Sequence, residues 1–233
     1  MNICSKKVVV DYRTDKEAVE SLKTYGFDLV FTKKIEKLYE AVDGHTDLQI
    51  IKVLDQLIVC PECFDYYNEK LATKLICGNS ELSAKYPDDI FYNAAIFGKF
   101  AVHNFRFTDS VLKECINRKF LFEINTKQGY SKCSICVVSD NAIITEDENI
   151  FNAVSEYNID VLKIDKGSVN LKGFDYGFFG GATGFFENTL FINGELKYHK
   201  DGESIKNFCR KHNTDTVELK KGGLTDIGSI LFI

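Results

Sequence analysis

The sequence has little proline and no long apolar segment. Of its 233 residues only 2 are proline, and no stretch rich in proline or serine divides the chain. We therefore predict one domain over residues 1–233, a size at which a core forms without disulfides or structural metals. No apolar run reaches the roughly 18–20 residues of a membrane helix, and the first residues lack the apolar core of a secretion signal. These absences favour a cytoplasmic protein without a membrane partner.

An excess of positive charge and the common nucleotide and metal motifs are also missing. The 29 Lys and Arg residues stand against 34 Asp and Glu residues, which gives a net charge of −5. Because phosphate contacts dominate nucleic-acid binding, nucleic acid is a poor candidate partner. There is no GxxxxGK[ST], HExxH or GxSxG motif, and the glycines of residues 177–184 do not form GxGxxG. We predict no cofactor and no metal.

Cysteine is frequent, but its distribution does not indicate a disulfide framework. Without an export signal we expect reduced thiols, most of them buried. Cys60 and Cys63 have the CxxC spacing of a zinc knuckle or a redox pair, yet neither two further ligands nor a redox-fold context accompanies them. Coincidence is the favoured explanation of that spacing. The eight cysteines are Cys4, Cys60, Cys63, Cys77, Cys115, Cys133, Cys136 and Cys209.

The clearest pattern in the chain is a repeat of about one fifth of its length. Capping-box patterns at residues 14–17 and 145–148 predict helix starts, and weaker versions lie near Asp65, Asp109 and Gly202. A short apolar segment, typical of a buried strand, follows each predicted helix. The centres of these segments are 46, 46, 41 and 55 positions apart. The predicted strands are 28–31, 74–77, 120–124, 161–164 and 217–219.

Pairs of β segments with a turn between them precede the later helices. Apolar segments at 7–10 and 227–233 predict that the last strand pairs with the first and closes a ring. We therefore predict an α/β protein of five ββαβ units with pseudo-fivefold symmetry around a central cavity. Residues 33–44 are predicted to add an irregular sixth helix. The predicted pairs are 49–53 with 57–60, 90–97 with 100–105, 133–138 with 142–145, and 174–179 with 189–192.

Three short segments carry a resemblance to known enzymes. Residues 87–93 (PDDIFYN) resemble a segment with a substrate-binding Asp, residues 178–182 (FFGGA) a Gly-Gly-Asp hairpin, and residues 222–231 (GGLTDIGSIL) a terminal segment with a nucleophilic Cys. The first two segments are those of arginine deiminases, and the last is found in both deiminases and dimethylarginine hydrolases. With the five units, the chain resembles the pentein, or guanidine-group-modifying-enzyme, fold, also described as an α/β propeller. It also resembles an uncharacterised bacterial family of that fold.

The resemblance implies a small polar or cationic metabolite in the central cavity, and a hydrolase or transferase of its C–N bonds. Such chemistry uses a thiolate, a histidine and two carboxylates. Here Asp226 or Ile227 takes the approximate place of the terminal cysteine, and Ala94 follows Asn93 where an Asp is expected. No histidine lies in residues 127–135 or 174–184. We therefore predict that the family's usual thiol chemistry is absent.

Two residues are candidates for catalysis. Asp226 lies among glycines and is predicted to face the cavity as a cation-binding carboxylate or a general base, with a turn or cap as the alternative. Cys133 is a candidate nucleophile whose pKa the neighbouring Lys132 would lower, although a packed structural thiol is the favoured reading. In the strand predicted here, Ser131 and Cys133 point one way and Lys132 the other.

The remaining candidates are ligand contacts. Asp88 and Asp175 are candidate carboxylates facing the axis, with turn formation or capping favoured for both. The other candidate contacts are Asn93, Ser131, Lys132 and Thr225. Phe174, Tyr176, Phe178 and Phe179 are a candidate cavity wall, with core packing as the favoured alternative. The four histidines, His45, His103, His199 and His212, have no Cys or carboxylate at ligand spacing.

Two functions remain open at this stage. The first is binding or processing of a small metabolite in the central cavity, in one version with Cys133 as the nucleophile. The second is a non-catalytic interaction protein of the ribosome anti-association type, which the resemblance suggests because that factor is a single five-unit domain of similar length without a catalytic thiol.

Overall fold

A computed structural model describes residues 6–233, so Cys4 lies outside the described chain. The helices are α1 (Lys16–Thr24), α2 (Thr46–Gln49), α3 (Phe64–Leu71), α4 (Ser110–Arg118), α5 (Ser131–Ser134), α6 (Glu148–Val154) and α7 (Gly202–Lys211). The strands of the first half are β1 (Lys6–Val10), β2 (Phe27–Phe31), β3 (Ile50–Val53), β4 (Gln56–Val59), β5 (Leu75–Cys77), β6 (Ala95–Phe97), β7 (Phe100–His103) and β8 (Phe122–Asn125). Those of the second half are β9 (Cys136–Ser139), β10 (Ala142–Thr145), β11 (Asp160–Lys163), β12 (Val169–Asn170), β13 (Thr183–Phe186), β14 (Thr189–Ile192), β15 (Asp215–Glu218), β16 (Leu224–Thr225) and β17 (Leu231–Phe232).

Five three-stranded sheets share one strand order. They are β17-β1-β2, β3-β4-β5, β6-β7-β8, β9-β10-β11 and β13-β14-β15. In each sheet the middle strand runs antiparallel to the first and parallel to the last, and a helix connects the middle strand to the last. A parallel strand needs such a crossover, whereas an antiparallel pair needs only a tight turn. The predicted α/β class is confirmed.

The first sheet joins the two ends of the described chain. Val8 and Val9 of β1 lie opposite Phe232 and Leu231 of β17. A sixth, two-stranded sheet pairs β12 with β16 in parallel. Across residues 6–233, none of the helices has the length and apolar character needed to cross a membrane.

Helix starts agree with the predicted places but use other caps. Thr14 does not cap α1; its hydroxyl donates to Asp11 O at 2.7 Å. At α6 the cap is Asp147, whose carboxylate accepts from Ile150 N at 2.9 Å. Carboxylates serve well at this position because they accept from the first free backbone N–H groups of a helix. The capping-box assignment of the two threonines was wrong, although a helix follows each of them.

Several sequence predictions of local structure were wrong, and long-range contacts explain two of them. Residues 90–94 of the predicted strand 90–97 are not strand, and β6 begins only at Ala95. Residues 33–44 form turns instead of a helix. Residues 174–179 are not a strand, because the N–H groups of Phe178 and Phe179 donate to the carboxylates of Asp226 and Glu146 instead of to a neighbouring strand. Ser131–Ser134 is a helical turn and not part of a strand.

The core divides among the sheets and their helices. Around the junction of β17 and β1, Phe27, Phe186, Phe191 and Phe232 pack with ring centroids 4.8 to 5.6 Å apart. Burial of each such side chain contributes roughly 1.5–3 kcal/mol. This aromatic cluster fixes the position of β17, and with it the residues that immediately precede β17.

Candidate active site

A short turn precedes the first strand of every three-stranded sheet. These five turns are the elements that carry the polar residues of the site. They are α2 before β3, residues 90–93 before β6, α5 before β9, a 3-10 turn at Gly180–Ala182 before β13, and residues 226–229 before β17.

The first three turns are joined by hydrogen bonds through Asn93. Its amide Nδ2 donates to Asp47 O at 3.3 Å, and its own carbonyl O accepts from Lys132 N at 3.0 Å. The side-chain Oδ1 accepts from Lys132 N at 2.8 Å and from Cys133 N at 3.4 Å. Asn93 therefore satisfies the first free N–H groups of α5 and holds this turn in its helical conformation.

The last two turns complete a closed series of contacts. A Cβ on Gly180 would lie only 2.5 Å from a carbonyl oxygen of α5, so glycine is required for this approach. Ser229 N donates to Gly181 O at 2.7 Å, and Asp47 N donates to Gly228 O at 2.9 Å. Each turn thus contacts the next, and the fifth contacts the first.

The thiol of Cys133 lies at the meeting point of the turns. Its Sγ donates to Asp47 Oδ2 at 3.1 Å and accepts from Asn93 Nδ2 at 3.4 Å. The side chain is 3% exposed. Burial, followed by the charges of Asp47 and Asp226, raises the pKa of the Cys133 thiol well above its usual value. The sequence prediction that Lys132 lowers this pKa was wrong, because the Lys132 ammonium bonds to Ser229 Oγ at 2.9 Å.

Two carboxylates and an imidazole accompany the thiol. Asp226 accepts from Phe178 N at 2.9 Å and from Gly228 N at 3.0 Å, and its Oδ1 is 4.0 Å from His45 Nδ1. Burial raises the pKa of Asp226, against the opposing effect of His45. Asp47 Oδ2 also accepts from Ser229 Oγ at 2.7 Å, beside the bond from the thiol. The site is therefore anionic and desolvated.

Two atoms at this site lack hydrogen-bond partners among the described residues. They are His45 Nε2 and Asp47 Oδ1, and both are buried. Buried polar atoms are seldom left unpaired, so such atoms indicate a missing ligand or water. His45, Asp47 and Cys133 also offer one ligand atom each within 4.8 Å of one another. This set has the chemical composition of a zinc site with an open position.

A cavity of about 360 Å³ lies over the thiol. Its floor includes His45, Cys133 and Asp226, and its walls are largely aromatic. The aromatic residues that line it are Tyr39, Tyr130, Phe174, Tyr176 and Phe178, with Asp175 also in the lining. Tyr130 and Phe178 stack with centroids 6.4 Å apart. Phe179, in contrast, is 1% exposed and packs in the core.

A second layer of buried carboxyl groups lies behind the site. The Tyr130 hydroxyl donates to Asp89 Oδ2, and burial raises the pKa of both groups. Glu146 accepts from Phe179 N at 3.0 Å, and burial raises its pKa to about 8. These contacts fix two of the cavity walls, because Tyr130 and the segment before Phe179 line the cavity.

The structure brings together some of the residues selected from the sequence. Cys133, Asn93 and Asp226 meet at the site described above, and Asp175 is an exposed residue of the cavity lining. Lys132 lies beside the site and lines a different cavity.

Three of the selected residues lie elsewhere. Ser131 is fully buried and donates to Gln128 O at 2.8 Å at the start of α5. Asp88 accepts from Ser83 Oγ at 3.2 Å in a turn. Thr225 belongs to β16, where its register partner is Asn170.

Sequence reasoning missed His45 and Asp47. A usable signal exists in the repeat: Asp47 stands 46 positions before Asn93, which equals the spacing between the first two pairs of predicted strands. Asn93 lies in the turn before β6, and a position 46 residues earlier falls in α2, the turn before β3, which contains Asp47 and directly follows His45.

Comparison with known proteins agrees with this architecture. The model of a family described as a family of unknown function (DUF6873) matches residues 9–231. The chain belongs to this family. A search of curated proteins found no match.

Solved structures show what the DUF6873 chain resembles in fold. A DDAH from Pseudomonas aeruginosa, a cysteine-to-serine mutant complexed with citrulline, aligns with a TM-score of 0.60 at 7% identity, covering 98% of this chain and 99% of that one. A histidine-to-glycine dimethylarginine dimethylaminohydrolase, as an adduct with S-methyl-L-thiocitrulline, gives 0.60 at 8% identity, with 98% and 99% covered. Agmatine deiminase from C. jejuni gives 0.54 at 12%, with 92% and 86% covered. The predicted resemblance to the pentein fold is confirmed.

Proposed function

We propose that the five sheets surround one axis, and that the chain binds a small cationic guanidine- or amine-containing molecule at the Cys133 site and acts on its C–N bond. The observation that carries this proposal is that a thiol, an imidazole and the Asp226 carboxylate line an aromatic cavity, while the Asp47 carboxylate bonds to the thiol. The closed series of contacts among the five turns supports the axial arrangement.

The charge of the site favours a cation. Asp47 and Asp226 are both buried, at 5% and 4% exposure. No lysine or arginine of the described chain forms an ion pair with either of them. A buried carboxylate without a cation is costly, and a bound cation offsets that cost. The aromatic walls add favourable cation–π contacts. A planar guanidinium suits two carboxylates because it has five N–H donors.

The same cation would activate the thiol. Burial and the two carboxylates hold the pKa of Cys133 high. A positive charge beside Asp47 and Asp226 counters their effect and lowers the thiol pKa, since an opposite charge within a few ångströms favours the charged form. The nucleophile therefore forms when substrate is bound.

The reaction follows from these positions. The S–H proton passes to Asp47, and the sulfur bonds to the electrophilic carbon of the substrate. The C–N bond then breaks, and the departing nitrogen takes from Asp47 the proton that the thiol gave up. Water, or an acceptor amine in a transferase, attacks the remaining carbon, breaks the C–S bond and returns a proton to the thiolate. The thiol of this chain stands in the third turn, whereas the resemblance places it in the last.

Thermal melting with cationic ligands tests the proposal. Arginine, agmatine and simple guanidines should raise the melting temperature of the wild type, while citrulline, which has no charge on its ureido group, should raise it less. Removing one partner of a buried charge pair costs about 2–5 kcal/mol, so Asp226→Asn should weaken binding by about 30-fold or more. Asp28→Asn, at an exposed carboxylate outside the cavity, is the matched control and should bind as the wild type does.

Two results would contradict the proposal. One is a set of cations that leaves the melting temperature unchanged. The other is binding that Asp226→Asn and Asp47→Asn do not weaken. Intact-mass spectrometry tests the covalent step separately. A covalent adduct should form on the wild type and be absent from Cys133→Ala.

A second candidate function is a zinc-dependent one. His45, Asp47 and Cys133 favour it, because each offers one ligand atom within 4.8 Å of the others, and three such ligands would leave a fourth position for water or substrate. His45 Nε2 and Asp47 Oδ1 are also buried without a partner among the described residues. Dialysis against Zn²⁺ followed by metal analysis tests it. Stoichiometric zinc that Cys133→Ala and His45→Ala both lose would favour the metal over the nucleophile.

A further inference from the structure

A second cavity lies among the first strands of the five sheets. It has a volume of about 290 Å³ and is lined by residues of β3, β6, β9, β13 and β17. Most of its walls are apolar, with Ile50, Ile96, Val137, Phe186 and Leu231 among the contributors. This volume is close to the lower limit of ordinary ligand pockets, roughly 300 Å³, so only a small molecule fits.

Two lysines line this apolar cavity. The Lys52 ammonium donates to Phe232 O at 3.1 Å, and the Lys132 ammonium donates to Ser229 Oγ at 2.9 Å. Within residues 6–233, no carboxylate lies within ion-pair distance of either ammonium. Lys52 is half-buried, and burial lowers its pKa. A half-buried cation with only a neutral partner costs free energy that a bound anion would recover.

Two carboxylates also line the cavity, but the surroundings of each weaken its electrostatic repulsion of a bound anion. Asp140 is exposed at the β9–β10 turn, so solvent screens its charge. The Ser229 hydroxyl donates to Asp47 Oδ2 at 2.7 Å and accepts from the Lys132 ammonium at 2.9 Å, so the positive charge of Lys132 partly offsets the charge of Asp47. Lys52 is the cation that has neither an acidic partner nor full hydration.

We propose that this second cavity binds a small organic carboxylate with an apolar chain, whose carboxylate pairs with Lys52 while the chain packs on the isoleucine and phenylalanine walls. Lys132 provides a further positive charge in the lining. The site is separate from the cavity over Cys133: neighbouring residues of α5 divide between the two, with Lys132 lining one and Cys133 the other.

Calorimetry and thermal melting with hexanoate test the proposal. Hexanoate should bind saturably and raise the melting temperature, and acetate, which lacks the apolar chain, should bind more weakly. Lys52→Met should weaken hexanoate binding about tenfold or more, and Lys52→Arg, which keeps the charge, should retain it. Lys74→Met, at an exposed lysine outside the cavity, should leave binding unchanged.

Further variants distinguish loss of hexanoate binding from loss of folding, and this cavity from the one over Cys133. Val137→Phe fills the cavity without changing any charge and should also abolish hexanoate binding. Cys133→Ala and Asp226→Asn alter only the Cys133 site and should bind hexanoate as the wild type does. The hexanoate test therefore stands even if no cation binds at the Cys133 site. Absence of saturable hexanoate binding would overturn the proposal, as would binding that survives both Lys52→Met and Val137→Phe.

Discussion

Glu146 makes the stability of this protein depend on pH in an unusual direction. Its side chain is buried, with Oε1 accepting from Phe179 N at 3.0 Å. Oε2 has no partner in the described part of the chain. Burial, with smaller contributions from Asp226 and Asp147, raises the pKa of Glu146 to about 8 from 4.5. The folded protein therefore holds this carboxyl group protonated at neutral pH.

The sign and size of the effect follow from that pKa. The pKa of Glu146 is higher in the folded protein than in the unfolded chain. Its favourable contribution to the free energy of unfolding is therefore complete below pH 4.5 and is lost as the pH rises through about 8. A shift of about 3.5 units corresponds to at most about 5 kcal/mol, at 1.36 kcal/mol per unit. Glu146→Gln keeps an acceptor for Phe179 N and cannot ionise, so it removes this dependence.

Urea unfolding of the wild type and Glu146→Gln between pH 5 and pH 9 measures the effect. We expect the variant to gain stability relative to the wild type by several kcal/mol over this range. Glu156→Gln, at an exposed carboxylate, is the control and should follow the wild type. A difference between variant and wild type that stays constant with pH would refute the assignment of a protonated Glu146.

Three further predictions concern the surroundings of the site. A Cβ at Gly181 would lie 2.1 Å from Asp226 Oδ1, so Gly181→Ala should displace this carboxylate and abolish cation-induced shifts in melting temperature. Asp109 accepts from two N–H groups at the start of α4 and from two in the loop after β5, so Asp109→Ala should cost about 2–4 kcal/mol in urea unfolding. Burial lowers the pKa of His103 to about 4, so its contribution to the free energy of unfolding, up to about 3 kcal/mol, should disappear as the pH falls from 6.5 to 4. His103→Gln should therefore reduce the loss of unfolding free energy over this pH range.

The repeated elements were predictable because their signals are local. Alternation of apolar residues and helical stripes such as Ala18, Val19 and Leu22 depend only on which face is buried. The segments before the first strands were not predictable in this way. Their backbone N–H groups bond to side chains from other sheets, as α5 does to Asn93 and residues 178–179 do to Asp226 and Glu146. No short window of sequence contains both partners.

The site was predictable only in part for the same reason. Asp226 and Cys133 attracted attention through a Gly-rich context and a dense polar run. His45 and Asp47 have neither feature, and their partners lie in the third and fifth turns. Spacing along the chain does not reveal such a cluster, since Asp47 and Cys133 are 86 positions apart. Comparison of the turns that precede the first strand of each sheet does reveal the cluster, because those turns contact one another.

The equivalence of the five turns also changes how a missing residue should be interpreted. The last turn lacks a cysteine, and from sequence this argued against thiol chemistry. Yet each turn directs residues toward the same region, so a thiol in the third turn contacts Asp47 of the first and comes under the charge of Asp226 in the fifth. A site built from equivalent turns can place its nucleophile on any of them, provided that the carboxylates and the imidazole come from the others. Absence of a residue at one turn therefore excludes a chemistry only when all five turns have been compared.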